Sequence, residues 1–575
     1  MMIKGVKQST FACVLIVALL SATLSIQTIP PTQMASGIPY NERQAAVRIG
    51  TGLCKQELYY LNQRLPGVKA AIEAIVGSEL KDNEVPRIAF CSSGGGLRAA
   101  ISTLGLLQGA ELQVKRQPAR SLLDFMGIKQ FIAYITLYFA QWFGWNQPAT
   151  ITPNNDILEP HPLNLLDACT YTASLSGSSW ALAGLNQSRM SPTNYLEHLS
   201  NQINKSLITD VDVQEIVFEI IEKCSYGQPV SLIDIYGGLL AHKFLKNLGN
   251  SDESAIDLTS YASLTTSAQI PLPIHTAIMG EKAGQYIWVE FTPYEIGSVD
   301  LRSFIPTWAF GRKFNNGTST DFAPPQAMGY GMGIWGSAIS MSAKEFFNLV
   351  IEPELGTIGA SYLESQFGHI AASGAPALAQ IYLELTKHKE RCAQDLTRSL
   401  LDTRISPAQV FNWAYGMATA LNNEADTITL VDAGIDFSIA LPPLLRSERA
   451  VDIIILCDYS GGTIEDDLRE ADAYAQRNGL RFPTIDYSKV NQVCSVHRDA
   501  SNPTAPIIIY MPLIKNDSYS NGWDPKTADF TATLNLEYTK DQTALLSGLS
   551  KQNMIDSQRM IIDTIKQWIE DKRKE

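Results

Sequence analysis

Two short segments of the chain carry residue types suited to acyl transfer. Ser93-Gly94-Gly95-Gly96-Leu97-Arg98 follows the apolar run Ile88-Ala89-Phe90-Cys91, and Ser174-Leu175-Ser176-Gly177-Ser178 leads into Ser179-Trp180. Acyl transfer needs a nucleophile and donors for the oxyanion that develops at the attacked carbonyl. Consecutive glycines reach backbone angles closed to other residues and leave bare amides. A serine on a sharp strand-to-helix turn can attack a carbonyl, and the helix behind it favours negative charge near its oxygen. Ser176 is the candidate nucleophile. The usual elbow is G-x-S-x-G because the turn is crowded. Here the flanks are Ser174 and Ser178, small enough to be a relaxed match. A serine-rich helix cap would explain this segment alone. Both segments together, each after an apolar run, favour a serine hydrolase.

The glycine run has a rival reading as a phosphate-binding loop. It lacks the Lys-Ser/Thr of a P-loop and the spacing of a dinucleotide fingerprint. Arg98, just inside the following helix, is placed to meet a substrate phosphate or, more plainly, to form a surface ion pair. The base is harder to choose. None of the seven histidines (His161, His198, His242, His275, His369, His388, His497) sits in a context that marks a triad member. Asp432, in Leu430-Val431-Asp432-Ala433-Gly434, again ends an apolar run before a small-residue turn. A free carboxylate, with a pKa of about 3.9, is a poor base for a hydroxyl, and burial would raise its basicity. Asp436, Asp452 and Asp458 are rivals on these grounds.

Strand-like runs at Ile88–Cys91, Ile428–Val431, Val451–Cys457 and Pro506–Pro512 alternate with helical periodicity over about Arg98–Leu112, after Ser176, and over about Met554–Lys572. This interleaving predicts an α/β layered architecture around a largely buried sheet. The 575 residues are 45% hydrophobic and 18% charged, an ordinary globular composition. A net charge of -13 argues against nucleic acid and against docking on anionic lipid by a general basic field. Lys4, Lys7 and the apolar stretch Phe11–Ile26 have the layout of an export signal, with an uncleaved membrane anchor as the alternative. An exported or N-terminally anchored protein is therefore expected, with residues 1–30 as the targeting segment. Eight scattered cysteines without a CxxC pair predict buried thiols and at most a disulfide or two. Phe131–Trp145 (FIAYITLYFAQWFGW) is too short to span a bilayer. It reads as a buried helix or as an interfacial insert with Trp142 and Trp145 at headgroup depth.

The chain resembles the catalytic domain of the cytosolic phospholipase A2 family, related to fungal phospholipase B and more distantly to patatin. The resemblance rests on the two segments above and on four more. They are Gly227–Gly237 (GQPVSLIDIYG), Trp288–Gly297 (WVEFTPYEIG), Met332–Ala338 (MGIWGSA) and Leu445–Asp452 (LRSERAVD). It runs from about residue 45 to near the C-terminus. It implies a three-layer α/β fold with a central mixed β-sheet flanked by helices, in one catalytic domain over residues 40–575.

The resemblance also implies roles. Ser176 matches the nucleophile, with Ser174 replacing the family's first glycine. Gly95 and Gly96 match the oxyanion glycines, and Arg98 the arginine that steadies the substrate phosphate. Asp432 matches the aspartate of a Ser–Asp dyad that works without histidine. Arg449 matches a second arginine with a supporting part in substrate binding. No cofactor and no metal are implied. The expected partner is a phospholipid membrane surface or micelle, without the family's calcium-binding lipid-targeting module, for which too few residues precede Ser93. The segment at about 114–162, which holds the aromatic stretch, is an insertion relative to the family.

The expected activity is that of a phospholipase A2 or lysophospholipase acting through an acyl-serine. The alternatives are acyl transfer by the same serine and a catalytically silent lipid-binding protein on the same fold.

Overall fold

The computed structural model describes residues 40–115, 162–205, 207, 210–248, 256–280, 286–338, 380–381, 384–399, 407–418 and 424–575. The N-terminal apolar segment and the aromatic stretch Phe131–Trp145 lie outside the described residues. In chain order the strands are β1 (Arg48–Ile49), β2 (Ile88–Ser92), β3 (Glu111–Lys115), β4 (Pro162–Asn164), β5 (Cys169–Ser174), β6 (Leu272–Met279), β7 (Ile287–Phe291), β8 (Glu295–Ser298), β9 (Ser303–Pro306), β10 (Phe314–Asn315), β11 (Thr318–Ser319), β12 (Ala408–Phe411), β13 (Thr427–Asp432), β14 (Ile453–Asp458), β15 (Ser495–His497) and β16 (Ile507–Pro512). The main helices are α1 (Lys55–Val76), α2 (Gly96–Gly109), α3 (Ser176–Ser188), α4 (Pro192–Gln202), α5 (Val213–Ser225), α6 (Leu232–Phe244), α7 (Met328–Trp335), α8 (Arg391–Ser399), α9 (Asp466–Arg477) and α10 (Lys540–Lys574).

One mixed sheet carries the architecture, in the order β1-β9-β8-β7-β6-β5-β2-β14-β16-β15. Strands β6, β5, β2, β14 and β16 run parallel, and the flanking strands join antiparallel. The parallel strands are apolar on both faces, as a doubly covered sheet requires. In β14, Ile453, Ile455 and Cys457 enter one core and Ile454 and Leu456 the other. In β16, Ile507, Ile509 and Met511 alternate in the same way with Ile508 and Tyr510. Helices α2, α3, α6 and α10 pack with the first core, and α9 with the second. These are the three layers that the resemblance implied.

The topology at β6 is unusual and matters most. Along one edge, residues 272–275 pair with parallel β5 (Ser174 opposite His275), while residues 277–279 pair with antiparallel β13 (Asp432 opposite Ala277). Strand β7 takes the other edge. The C-terminal ends of β5 and β13 therefore converge head to head, opposite positions two residues apart on β6. That spacing is about 6.6 Å at the usual rise. Strand β2 lies on the far side of β5 with Ser92 opposite Ser174, so the glycine run emerges beside the serine turn.

The predicted strands correspond to β2, β13, β14 and β16. The C-terminal helix begins well before the expected Met554. A capping box between Thr539 and Gln542 starts it at Lys540. Its first turns lack bulky periodicity because they lie against glycines of α2. A Cβ on Gly105 would stand 2.8 Å from the Ser547 Cα. Small residues thus replace the apolar stripe by which a helix is usually recognised. Strands β3 and β4 form a separate antiparallel ribbon, so the chain leaves for the 116–161 segment and returns from it at one place. Cys224 of α5 is disulfide-bonded to Cys392 of α8, and Cys54, Cys91, Cys169, Cys457 and Cys494 are buried free thiols.

The close approach of α2 to α10 makes a stability prediction. Gly105→Leu should lower stability by at least about 3 kcal/mol, because the new side chain meets main chain that cannot rotate away. Urea denaturation measures this, and a change below about 1 kcal/mol would contradict the packing.

Candidate active site

Ser176 opens α3 directly after the extended residue Leu175, and its own φ is +51°. A non-glycine residue in the left-handed region is strained. The strain is held by the two serines that stand where an elbow usually has glycines. Ser174 Oγ meets Ser179 Oγ at 3.0 Å and His275 Nδ1 at 3.1 Å. Ser178 Oγ donates to the Ser93 carbonyl at 2.5 Å and meets Thr103 Oγ1 at 2.9 Å. The relaxed motif is thus not a weakened one: each flanking hydroxyl ties the turn to a neighbouring element.

The glycine run is fixed at its near end and bare at its far end. Ser93 N donates to Cys457 O at 2.9 Å, and Ser93 Oγ accepts from Tyr459 N at 2.6 Å. Gly94 N donates to the Ser438 carbonyl at 3.0 Å. A Cβ at Gly94 would lie 3.0 Å from the Ser176 Cβ, so glycine allows the run to close on the serine. Gly95 (φ +135°) and Gly96 (φ +62°) take angles that suit glycine and begin α2. Their amides have no hydrogen-bond acceptor among the described residues. Two free amides at a helix N-terminus, next to a serine, form a site for negative charge.

Asp432 ends β13 and is wholly buried. Its Oδ1 accepts from Gly434 N at 2.8 Å and its Oδ2 from Ala338 N at 3.3 Å. Its own N donates to Ser337 Oγ at 3.1 Å. The Ser176 side chain is near enough to this carboxyl to act on its pKa. Burial pushes the Asp432 pKa from 3.8 up to about 7, against the opposing pull of these hydrogen bonds. Ser176 keeps 7% of its surface exposed and Asp432 none, so substrate reaches the serine and not the carboxyl. The rivals lie elsewhere. Asp436 accepts from Trp288 Nε1 and Asp452 from Arg87 N, while Asp458 is bound by Tyr510 and Ser460.

No described histidine contacts Ser176. His275 comes near through Ser174, but it is stacked 4.0 Å from Trp335, and burial pushes its pKa down to about 3. It is a neutral structural group.

Arg98 is buried beneath the glycine run. Nε donates to Tyr459 O at 2.8 Å, Nη1 to Thr531 O at 2.6 Å and Nη2 to Thr533 Oγ1 at 3.1 Å. No carboxylate lies within ion-pair distance among the described residues. Desolvation depresses its pKa, and two of its five N–H groups remain for an anion. A surface ion pair is thereby excluded. Thr531 and Thr533 carry no local signal of this contact, since they lie in an aperiodic polar stretch. Ser337 and Ala338 were inside a matched segment, but their part in holding Asp432 was not visible there.

Arg449 requires a correction. It was expected to support substrate binding, yet its guanidinium is 1% exposed and spent on Glu57 (2.9 Å), Glu290 (2.6 Å) and the Pro443 carbonyl (2.9 Å). Arg446 completes the cluster through Glu290 at 2.6 Å. Against burial, which acts to raise it, Arg446 and Arg449 hold the Glu290 carboxyl below its ordinary pKa. The cluster lies over the Tyr171 ring, in the core that faces away from α2 and α3. Glu290, Arg446 and Arg449 come from two of the segments that carry the resemblance, and Glu57 from α1.

Residues 160–478 match the family described as Lysophospholipase catalytic domain. The chain is 25% identical to cytosolic phospholipase A2 zeta of Mus musculus over 522 residues, which is 81% of this chain and 54% of that protein. It is 23% identical to cytosolic phospholipase A2 epsilon of Homo sapiens over 593 residues, 92% of this chain and 61% of that protein. The chain thus spans between half and two thirds of the length of these relatives. The solved structure of human GIVD cytosolic phospholipase A2 superposes with a TM-score of 0.65 at 19% identity, covering 92% of this chain and 66% of that one. That likeness supports the fold. The relatives are named cytosolic, and no described helix is long and apolar enough to cross a membrane. The names of these relatives correct the expectation of an exported or N-terminally anchored protein.

Two predictions follow from the buried charges. In the fold, Asp432 keeps its proton up to about pH 7, whereas the unfolded chain loses it near 3.8. Stability from this group is therefore greatest below pH 4 and declines as pH rises to 7. The melting temperature of Asp432→Asn minus that of the wild type should increase across this window and then level off. A pH-independent difference in scanning fluorimetry would contradict it. Arg449→Met should cost about 3–5 kcal/mol in urea denaturation, because two buried carboxylates lose their partner. The KM of the folded fraction should stay unchanged, and a KM effect without a stability loss would restore a substrate-binding role.

Proposed function

Because the chain belongs to the lysophospholipase catalytic-domain family, we propose that it hydrolyses fatty-acyl esters of glycerophospholipids, as a phospholipase A2 or lysophospholipase. The observation that carries this reading is the buried Asp432 carboxyl, brought to Ser176 by the register on β6 and raised to about 7, beside two unclaimed glycine amides. A carboxylate of that basicity is matched to proton transfer at neutral pH.

In the first step Asp432 takes the Ser176 proton as Oγ attacks the ester carbonyl. The Gly95 and Gly96 amides donate to the oxyanion. A donor of this kind is typically worth about 2.7–4 kcal/mol in the transition state. The intermediate collapses, the ester C–O bond breaks, and protonated Asp432 returns its proton to the departing glycerol oxygen. In the second step Asp432 takes a proton from water, which attacks the acyl-serine. The fatty acid leaves and Ser176 is reprotonated. Arg98, a buried cation with two spare donors and no carboxylate partner, suits the phosphate of the headgroup. A lipid surface or micelle presents the substrate.

The test is product analysis by mass spectrometry with phospholipid vesicles and lysophospholipid micelles. The wild type should release fatty acid. Ser176→Ala and Asp432→Asn should each lose at least about 10³-fold in kcat. Retained hydrolysis in either variant would overturn the assignment of that residue.

A further inference from the structure

We propose that Asp467 is a positioning residue for the oxyanion amides, a role that rests on the hydrolytic reading of the site. Asp467 lies in the first turn of α9, two elements away from the reacting groups. Its Oδ1 accepts from Ser438 N at 2.6 Å. Ser438 lies six residues after Asp432 in the same turn region, and its carbonyl accepts the Gly94 amide at 3.0 Å. The peptide groups on either side of Ser438 thus form a relay: the carboxylate holds one, and the other holds the glycine run. The contact is tight. A Cβ on Gly94 would lie 2.7 Å from Ser438 Oγ as well as 3.0 Å from the Ser176 Cβ.

This relay decides which amides are free. With Gly94 engaged, Gly95 and Gly96 are the amides without an acceptor among the described residues, and their distance from Ser176 is set by where Ser438 stands. Asp467 also lies near Ser460, whose hydroxyl donates to Asp458 Oδ1 at 2.6 Å. Ser460 belongs to the turn after β14, in which Tyr459 O accepts from Arg98 Nε and Gly461 packs against the Arg98 guanidinium. The same carboxylate therefore holds the turn after Asp432 and lies beside the turn that seats Arg98. Nothing in the sequence marks it, since Asp466-Asp467 reads as an ordinary acidic first turn of a helix.

Oxyanion donors act only when they lie at hydrogen-bond distance from the developing charge, so a small displacement lowers kcat with little effect on ground-state binding. Asp467→Ala removes the acceptor for Ser438 N. Asp467→Asn keeps one, and its amide can donate toward Asp458 and Ser460. The experiment compares both variants with the wild type in three readouts. They are kcat and KM for ester hydrolysis, the rate at which a fluorophosphonate labels Ser176, and hydrogen exchange of the peptide spanning residues 92–98.

Asp467→Ala should lower kcat and the labelling rate at least tenfold at unchanged KM, and should speed exchange in that peptide. Asp467→Asn should restore most of all three. Unchanged exchange in Asp467→Ala would overturn the proposal whatever the activity. So would a loss of activity that Asp467→Asn does not relieve. A wild-type protein that neither hydrolyses ester nor labels would overturn the hydrolytic reading instead, and the exchange result would still judge the relay.

Discussion

The rest of the site depends on one edge of one strand. Strand β6 pairs with parallel β5 over its first half and with antiparallel β13 over its second. Two chain ends that would otherwise lie on opposite sides of a sheet are driven toward each other. The serine turn and the carboxyl strand end are about 250 residues apart in sequence, yet two positions apart in register. The hydrogen-bond ladder fixes this spacing to a fraction of a residue, because a slip by one would turn every side chain of the strand to the other face. Burial follows from the same arrangement. A strand end enclosed between β5, β6 and α7 is buried, so the carboxyl there is more basic than a free one.

Charge is treated differently on the two sides of the sheet. In the core facing away from the site, Glu57, Glu290, Arg446 and Arg449 neutralise one another in one buried cluster. Near the site, Arg98 donates only to neutral oxygens, with the Asp458 carboxylate acting on it from beyond ion-pair distance. Two buried arginines with similar sequence credentials therefore do opposite things. The presence or absence of a carboxylate within reach separates the fold-stabilising one from the one suited to an anionic substrate.

How much of this was legible in the sequence depends on the distance over which each feature is encoded. The strand ends before Ser93, Ser176 and Ala433 were readable because apolar runs and small-residue turns are local signals. Asp432 could be ranked but not separated from Asp436, Asp452 and Asp458, since burial and the Ser337 and Ala338 contacts are tertiary. The early start of α10 was hidden because small residues, not large apolar ones, make its contact with α2. For Arg449, similarity to a segment reports that a residue matters without saying whether to the fold or to the reaction, and its buried ion pairs are tertiary. The N-terminal layout suggested export from local pattern alone, and the relatives point the other way.

The most direct test of the account is the pH dependence of fluorophosphonate labelling at Ser176. The account predicts that the rate rises with a single ionisation near pH 7 and that this ionisation disappears in Asp432→Asn along with most of the rate. A profile that keeps the same ionisation in Asp432→Asn would show that another group deprotonates the serine, and would contradict the assignment of the buried carboxyl as its base.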